Sequence, residues 1–328
     1  MKKWRRVLVA VKDPRSRGSA AISKGAELAR ALGASLELFH GITAAIPAES
    51  FSYGKRTLAD VERAIRARHL AALERTARRL RARGLRVSVA ADWDFPSHEA
   101  IVRRAIRARA DIIVAEQHKG WRTLPWLLHL TDWELLRLSP VPVLLVKSSR
   151  AYRRPVVLAA LDPGHAFAKS ARLDEEILRA AGTVADALGG SLHAMHAYFT
   201  GPGVPISPEF SGTDVLARLS LEAKSDAGKS LARELRHRSI PPARQHLVES
   251  QAIEAIPRLA RQLRAAIVVM GAVSRSGLRR AFIGNTAERV LDHLSCDVLV
   301  VRPPRFRSSV LRARRGVRIV TSAPPPPY

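Results

Sequence analysis

The residues of this chain best suited to chemistry lie in one stretch, Gly271-Ala272-Val273-Ser274-Arg275-Ser276-Gly277-Leu278-Arg279-Arg280-Ala281-Phe282-Ile283-Gly284-Asn285-Thr286-Ala287-Glu288-Arg289-Val290-Leu291. Gly271, Gly277 and Gly284 lack a Cβ, so backbone there can come close to a ligand. Asn285 or Thr286 can cap the helix that the stretch opens, with Glu288 and Arg289 in its first turn. Free amides at a helix N-terminus attract phosphate, so binding of a phosphate group through backbone amides is the chemistry this pattern supports. A loop that only turns and caps would use the same residues, and on this stretch alone the two readings stand level.

Elsewhere the reactive residue types are scattered. His193 and His196 stand three apart on an expected strand and so point to opposite faces, which speaks against a shared metal. His40 and His196 recur at equivalent strand ends, where they could line a site. Cys296 precedes an apolar strand, and nothing beside it in sequence would activate the thiol. Neither half offers a nucleophile–base pair or a metal-ligand cluster at an identifiable site, so the expectation is a binding protein without catalysis or metal.

The elements that must position these residues occur twice. Val7-Leu8-Val9-Ala10-Val11 followed by Lys12-Asp13-Pro14 is answered by Val156-Val157-Leu158-Ala159-Ala160-Leu161 followed by Asp162-Pro163. A helix ending Ala31-Leu32-Gly33 and a strand 35–40 are answered by a helix ending Ala187-Leu188-Gly189 and a strand 191–196, each glycine standing where a left-handed cap is needed. Long amphipathic helices follow, marked by Val61, Ile65, Leu73, Ala77 and Leu80 and by Leu216, Leu219, Ala223, Ala227, Leu231 and Leu235. Later strands near 87–90, 111–115 and 143–146 match those near 245–248, 266–270 and 298–301. The strands are short, β-branched and apolar on both faces, as in a parallel sheet covered by helices.

The expected fold class is therefore α/β: two tandem, five-stranded, doubly wound (Rossmann-like) domains, 1–150 and 151–303, packed as a pseudo-dimer through their last strands. Ligands in such sheets bind beyond the carboxyl ends of the strands where strand order reverses, which singles out the residues after the first and fourth strand of each half. Residues 304–328, rich in proline and arginine and without sustained periodicity, read as a disordered basic tail.

Composition narrows the setting. The single cysteine, Cys296, forbids an internal disulfide and fits a reducing cytoplasm. No segment approaches the ~18 consecutive apolar residues of a spanning helix, so no membrane span is expected. The formal net charge of +26 favours nucleic acid, anionic lipid or acidic proteins as partners, through the basic surface and the tail. The same charge can also be compositional, arginine filling exposed positions between Arg63 and Arg83 as elsewhere.

The glycine stretch, placed after a fourth strand, resembles the universal stress proteins. Nucleotide-binding members carry Gly-x2-Gly-x9-Gly-(Ser/Thr) there and an aspartate after the first strand. Gly271 and Gly284 match the first and third glycines, and Asp162 matches the aspartate. Ser274 stands in place of the second glycine with Gly277 nearby, and Asn285 stands where Ser or Thr is usual. The tandem layout and the Gly284-Asn285-Thr286-Ala287-Glu288 run are most similar to the E branch, over residues 4 to about 303. The resemblance implies ATP or a related nucleotide, with adenine near Asp162 and the backbone beside Ala197 and phosphates at Gly271 and Gly284–Thr286. It also implies a cytoplasmic, regulatory and protective role in stress, with a homo-oligomer or protein partner open.

The first half has lost this pattern: Glu116 stands for Gly271, and His129-Leu130-Thr131 for Gly284-Asn285-Thr286. An aromatic segment, Trp121 to Trp133, fills the corresponding space, so the alternative function is a pocket for a small apolar ligand or a protein partner there.

Overall fold

The computed structural model describes residues 3–16, 18–52, 57–117, 130–163, 172–199, 213–271, 285–304 and 306–321. The chain divides into two compact units, one formed by residues 1–151 with 307–328, the other by 152–306.

The first unit contains β1 (Arg6–Ala10), α1 (Ala20–Leu32), β2 (Ser35–Ile42), β3 (Ala45–Pro47), α2 (Glu49–Ser52), α3 (Leu58–Arg81), β4 (Val87–Trp93), α4 (Ser97–Ala108), β5 (Ile112–Glu116), α5 (Leu130–Leu138) and β6 (Val143–Val146). Its main strands are parallel, in the order β4-β2-β1-β5-β6. The second unit contains β7 (Val156–Leu161), α6 (Leu173–Ala187), β8 (Ser191–Tyr198), α7 (Thr213–Leu235), β9 (Gln245–Glu249), α8 (Ala252–Gln262), β10 (Ile267–Gly271), α9 (Asn285–His293) and β11 (Asp297–Val301). Its strands are also parallel, in the order β11-β10-β7-β8-β9.

Local sequence explains most of these elements. The central strands bury both faces: Leu8, Val9, Ile112, Ile113, Val157, Leu158, Ile267 and Val268 are all fully enclosed. Ser19 caps α1, its side chain accepting from the Ile22 amide, and Gly33 closes the helix with φ 63°. Gly189 repeats that left-handed turn with φ 60°. Thr57 and Asp60 form a reciprocal capping box at the start of α3, whose Ala72, Leu73, Ala77 and Leu80 face the core. Arg109 and Arg264 occupy equivalent left-handed positions before the fourth strand of each unit, φ 51° and 50°, so the duplication reaches even an unfavourable backbone detail.

The segment after residue 306 departs from the expected disordered tail. Within the first unit β12 (Arg318–Val320) pairs in parallel with β3, Arg318 beside Ala45 and Val320 beside Pro47. The Ala48 amide donates to the Val320 carbonyl at 2.8 Å. The side chain of Arg103, about 1% exposed, donates from Nε to the Leu311 carbonyl at 2.8 Å and from Nη1 to Asp94 at 2.7 Å. Asp94 Oδ1 also accepts from the Arg315 amide at 3.0 Å, while the Arg315 guanidinium reaches Glu99 at 2.9 Å and Arg314 reaches Asp92 at 3.1 Å. A high proline and arginine content without sustained periodicity suggests disorder because it describes only what a segment can bury by itself. Its partners are carboxylates more than 200 residues away, and a local pattern does not show them.

Candidate functional site

In the second unit the strand order reverses between β7 and β10, which run side by side from Ile267 against Val157 to Val269 against Ala159. Asp162 leaves the carboxyl end of β7, Gly271 ends β10, and Ala197 lies near the end of β8, one residue past the His196 that pairs with Leu161. Three of the residues singled out in the sequence thus gather at the carboxyl edge of neighbouring strands. Gly277 and Gly284 lie outside the described residues. Asn285 and Thr286 are the first two residues of α9.

Two braces shape this edge. His196, buried, bonds through Nδ1 to the Leu161 carbonyl at 3.3 Å. Asp174, buried in the first turn of α6, accepts from the Asp162 amide at 3.3 Å. The bond from Asp174 fixes the chain as it leaves β7 and so sets where Asp162 stands. Sequence reasoning passed over Asp174; its only signal is an acidic residue opening a helix beside Glu175 and Glu176.

Gly271 has a packing reason for its identity. A Cβ there would lie 2.6 Å from Leu173 Cδ2 and 3.0 Å from its Cγ, so the whole leucine side chain occupies the space. Gly271→Ala is expected to cost about 1–3 kcal/mol through overpacking. Adding Leu173→Ala should recover part of that loss, and a denaturation double-mutant cycle showing simple additivity would contradict the contact.

The first unit has the same frame with other chemistry. His40 donates from Nδ1 to the Val11 carbonyl at 2.8 Å, the counterpart of His196 on Leu161, and burial holds its pKa below the ordinary histidine value. This register aligns Lys12 with Asp162, because Val11 stands beside His40 as Leu161 stands beside His196. Asp13, which follows its strand in sequence as Asp162 does, is one residue further on. Its carboxylate accepts from the Arg15 amide at 2.8 Å and so serves a local turn. Glu116, in the place of Gly271, accepts from the Ser19 hydroxyl at 3.2 Å. A carboxylate and an ammonium therefore stand where the second unit offers glycine and aspartate. Of the aromatic segment, 121–129 lie outside the described residues; Trp133 is half-buried in α5.

His193 pairs with His246 rather than with His196. The rings are nearly parallel and Nδ1 faces Nε2 at 3.0 Å, a hydrogen-bonding distance. Burial lowers both pKa values. Among the described residues no group of three or more His, Cys, Asp or Glu could hold a metal ion, and no helix is long and apolar enough to cross a membrane.

Comparison with known proteins agrees with the duplicated architecture. The universal stress protein family matches twice, over residues 3–147 and 166–302. The chain is 27% identical to universal stress protein E of Escherichia coli K12 over 331 aligned positions, covering 94% of this chain and 98% of that one. It is 29% identical to the Salmonella typhi protein of the same name, with the same coverage. A solved structure of a functionally unknown protein from Pseudomonas aeruginosa PAO1 is similar with a TM-score of 0.70 at 27% identity, covering 92% of this chain and 93% of that chain. This chain belongs to the universal stress protein family, as a tandem-domain member similar to universal stress protein E.

Proposed function

We propose that the second unit binds ATP or a related adenine nucleotide without chemical turnover, as part of a regulatory, protective role in stress. One observation carries this reading: Asp162 and Gly271 flank the point where strand order reverses, the place at which doubly wound sheets take ligands. The α9 N-terminus opens at Asn285, at the end of the same glycine-containing stretch, and supplies amides of the kind that hold phosphate. The first unit argues by contrast, since Glu116 would repel phosphate from the equivalent strand end.

Calorimetric titration of ATP tests this. Removing the carboxylate with Asp162→Ala, or adding one in the glycine stretch with Gly284→Asp, should each weaken binding at least ~10-fold, equivalent to ~1.4 kcal/mol. Lys12→Ala, at the matching position of the first unit, should leave affinity unchanged. Equal affinity in wild type and both second-unit variants would place the nucleotide elsewhere. No binding to wild type at millimolar ATP would end the proposal.

A further inference from the structure

The excess positive charge is unevenly placed. α3 carries seven arginines against three carboxylates, whereas α7, its counterpart in the second unit, carries four basic and four acidic residues. A general preference for arginine would have loaded both helices alike. The tail, expected from sequence to be a free basic arm, has Arg314 and Arg315 engaged by Asp92, Asp94 and Glu99. α3 differs: Arg68, Arg75 and Arg79 are exposed, and none of them meets a carboxylate among the described residues. Arg75 and Arg79 donate to neutral acceptors, the Ala71 carbonyl at 3.3 Å and the Thr76 hydroxyl at 3.2 Å.

These three positions are seven and four residues apart, so they fall within about 40° of one another around the helix and span about 16 Å of its length. Exposed alanines, Ala64 and Ala71, lie on the same side, leaving the guanidinium groups as the outermost atoms. Duplex DNA presents one phosphate charge per ~1.7 Å of axis, so a rod of this length faces on the order of nine. Guanidinium groups that meet phosphate oxygens along the outside of the duplex carry no sequence information, so a contact of this kind is independent of sequence. A lipid surface fits less well, because none of the exposed large apolar side chains, Phe199, Leu221, Leu311, Ile319 and Val320, belongs to α3 to enter the bilayer.

We propose that the outer face of α3, through Arg68, Arg75 and Arg79, is a sequence-independent docking surface for the phosphate backbone of nucleic acid.

The test is fluorescence anisotropy of a labelled 20-base-pair DNA duplex titrated with the full-length protein between 50 and 300 mM NaCl. The triple variant Arg68→Gln, Arg75→Gln, Arg79→Gln should lose at least ~10-fold in affinity at 100 mM salt. Its log–log salt slope should be shallower by about 2.7, at roughly 0.9 per phosphate contact. A scrambled duplex should bind equally, and ATP affinity and the circular dichroism melt should be unchanged. A control that removes the same charge from exposed positions of the second unit, Arg236→Gln, Arg258→Gln, Arg261→Gln, should keep most of the affinity. The inference is overturned by absent binding at 50 mM salt or by equal losses in the two triple variants. It is also overturned if the α3 variant keeps duplex binding but loses binding to vesicles containing phosphatidylserine.

Discussion

Arg103→Ala is expected to destabilise the first unit by about 3–5 kcal/mol, the cost of leaving a buried charge without its partner. The side chains of Arg103 and Asp94 are both about 1% exposed, and their 2.7 Å ion pair stands at the centre of the tail contacts. Asp94 Oδ2 is buried and finds no donor among the described residues, so Asp94 depends on what Oδ1 receives from Arg103, from the Phe95 amide at 3.0 Å and from Arg315. Glu99 holds the other end of the Arg103 fork and also receives Arg315. For a unit of this size each kcal/mol moves the midpoint by about 2–4 °C, so the melt should fall by roughly 6–20 °C. All five tryptophans of the chain, from Trp4 to Trp133, lie in the first unit, so intrinsic fluorescence follows its unfolding selectively. A shift below about 2 °C would mean that the pair contributes little net stability. The double variant Arg103→Met, Asp94→Leu should be less destabilised than the sum of its parts, because replacing both charges removes the unpaired group instead of creating one.

Deleting residues 307–328 is the second large effect expected. The deletion removes the acceptor for Arg103 Nε, the cations facing Asp92 and Glu99, and the strand that pairs with β3. It also uncovers Ile46, 2% exposed beside Ile319. Water reaches several of the freed groups, and Asp92 keeps Arg107 at 2.9 Å, so the loss should be smaller than for Arg103→Ala. About 2–4 kcal/mol is expected, with the tryptophan-detected midpoint falling by about 5–10 °C. Thermal unfolding of the truncated chain within 2 °C of wild type would show that the docked tail is incidental to stability.

The contrast between the two halves has a physical basis. Alternating apolar strands and amphipathic helices were legible because burial on a parallel sheet demands β-branched residues on both strand faces, and this demand is local. Gly33 and Gly189 were legible as caps because a left-handed residue is a local requirement as well. The same locality let the glycine stretch and Asp162 point to the carboxyl ends of the first and fourth strands of the second half. Family membership followed from those repeats and that stretch together.

What local pattern could not supply was every interaction made across the fold. Lys12, not Asp13, aligns with Asp162, and only the pairing of β1 with β2 and of β7 with β8 decides which. Gly271 reads in sequence as room for a ligand, and only the packing of α6 shows that Leu173 also lies against it. Asp174 acquired its role only when α6 brought its first turn under the Asp162 amide. The arginines of α3 and of the tail are indistinguishable in sequence. Tertiary structure separated them, because Arg314 and Arg315 of the tail met Asp92 and Glu99 while Arg68, Arg75 and Arg79 on the outer face of α3 met solvent. Backbone periodicity is written residue by residue, whereas the partner of a charge depends on where the chain returns.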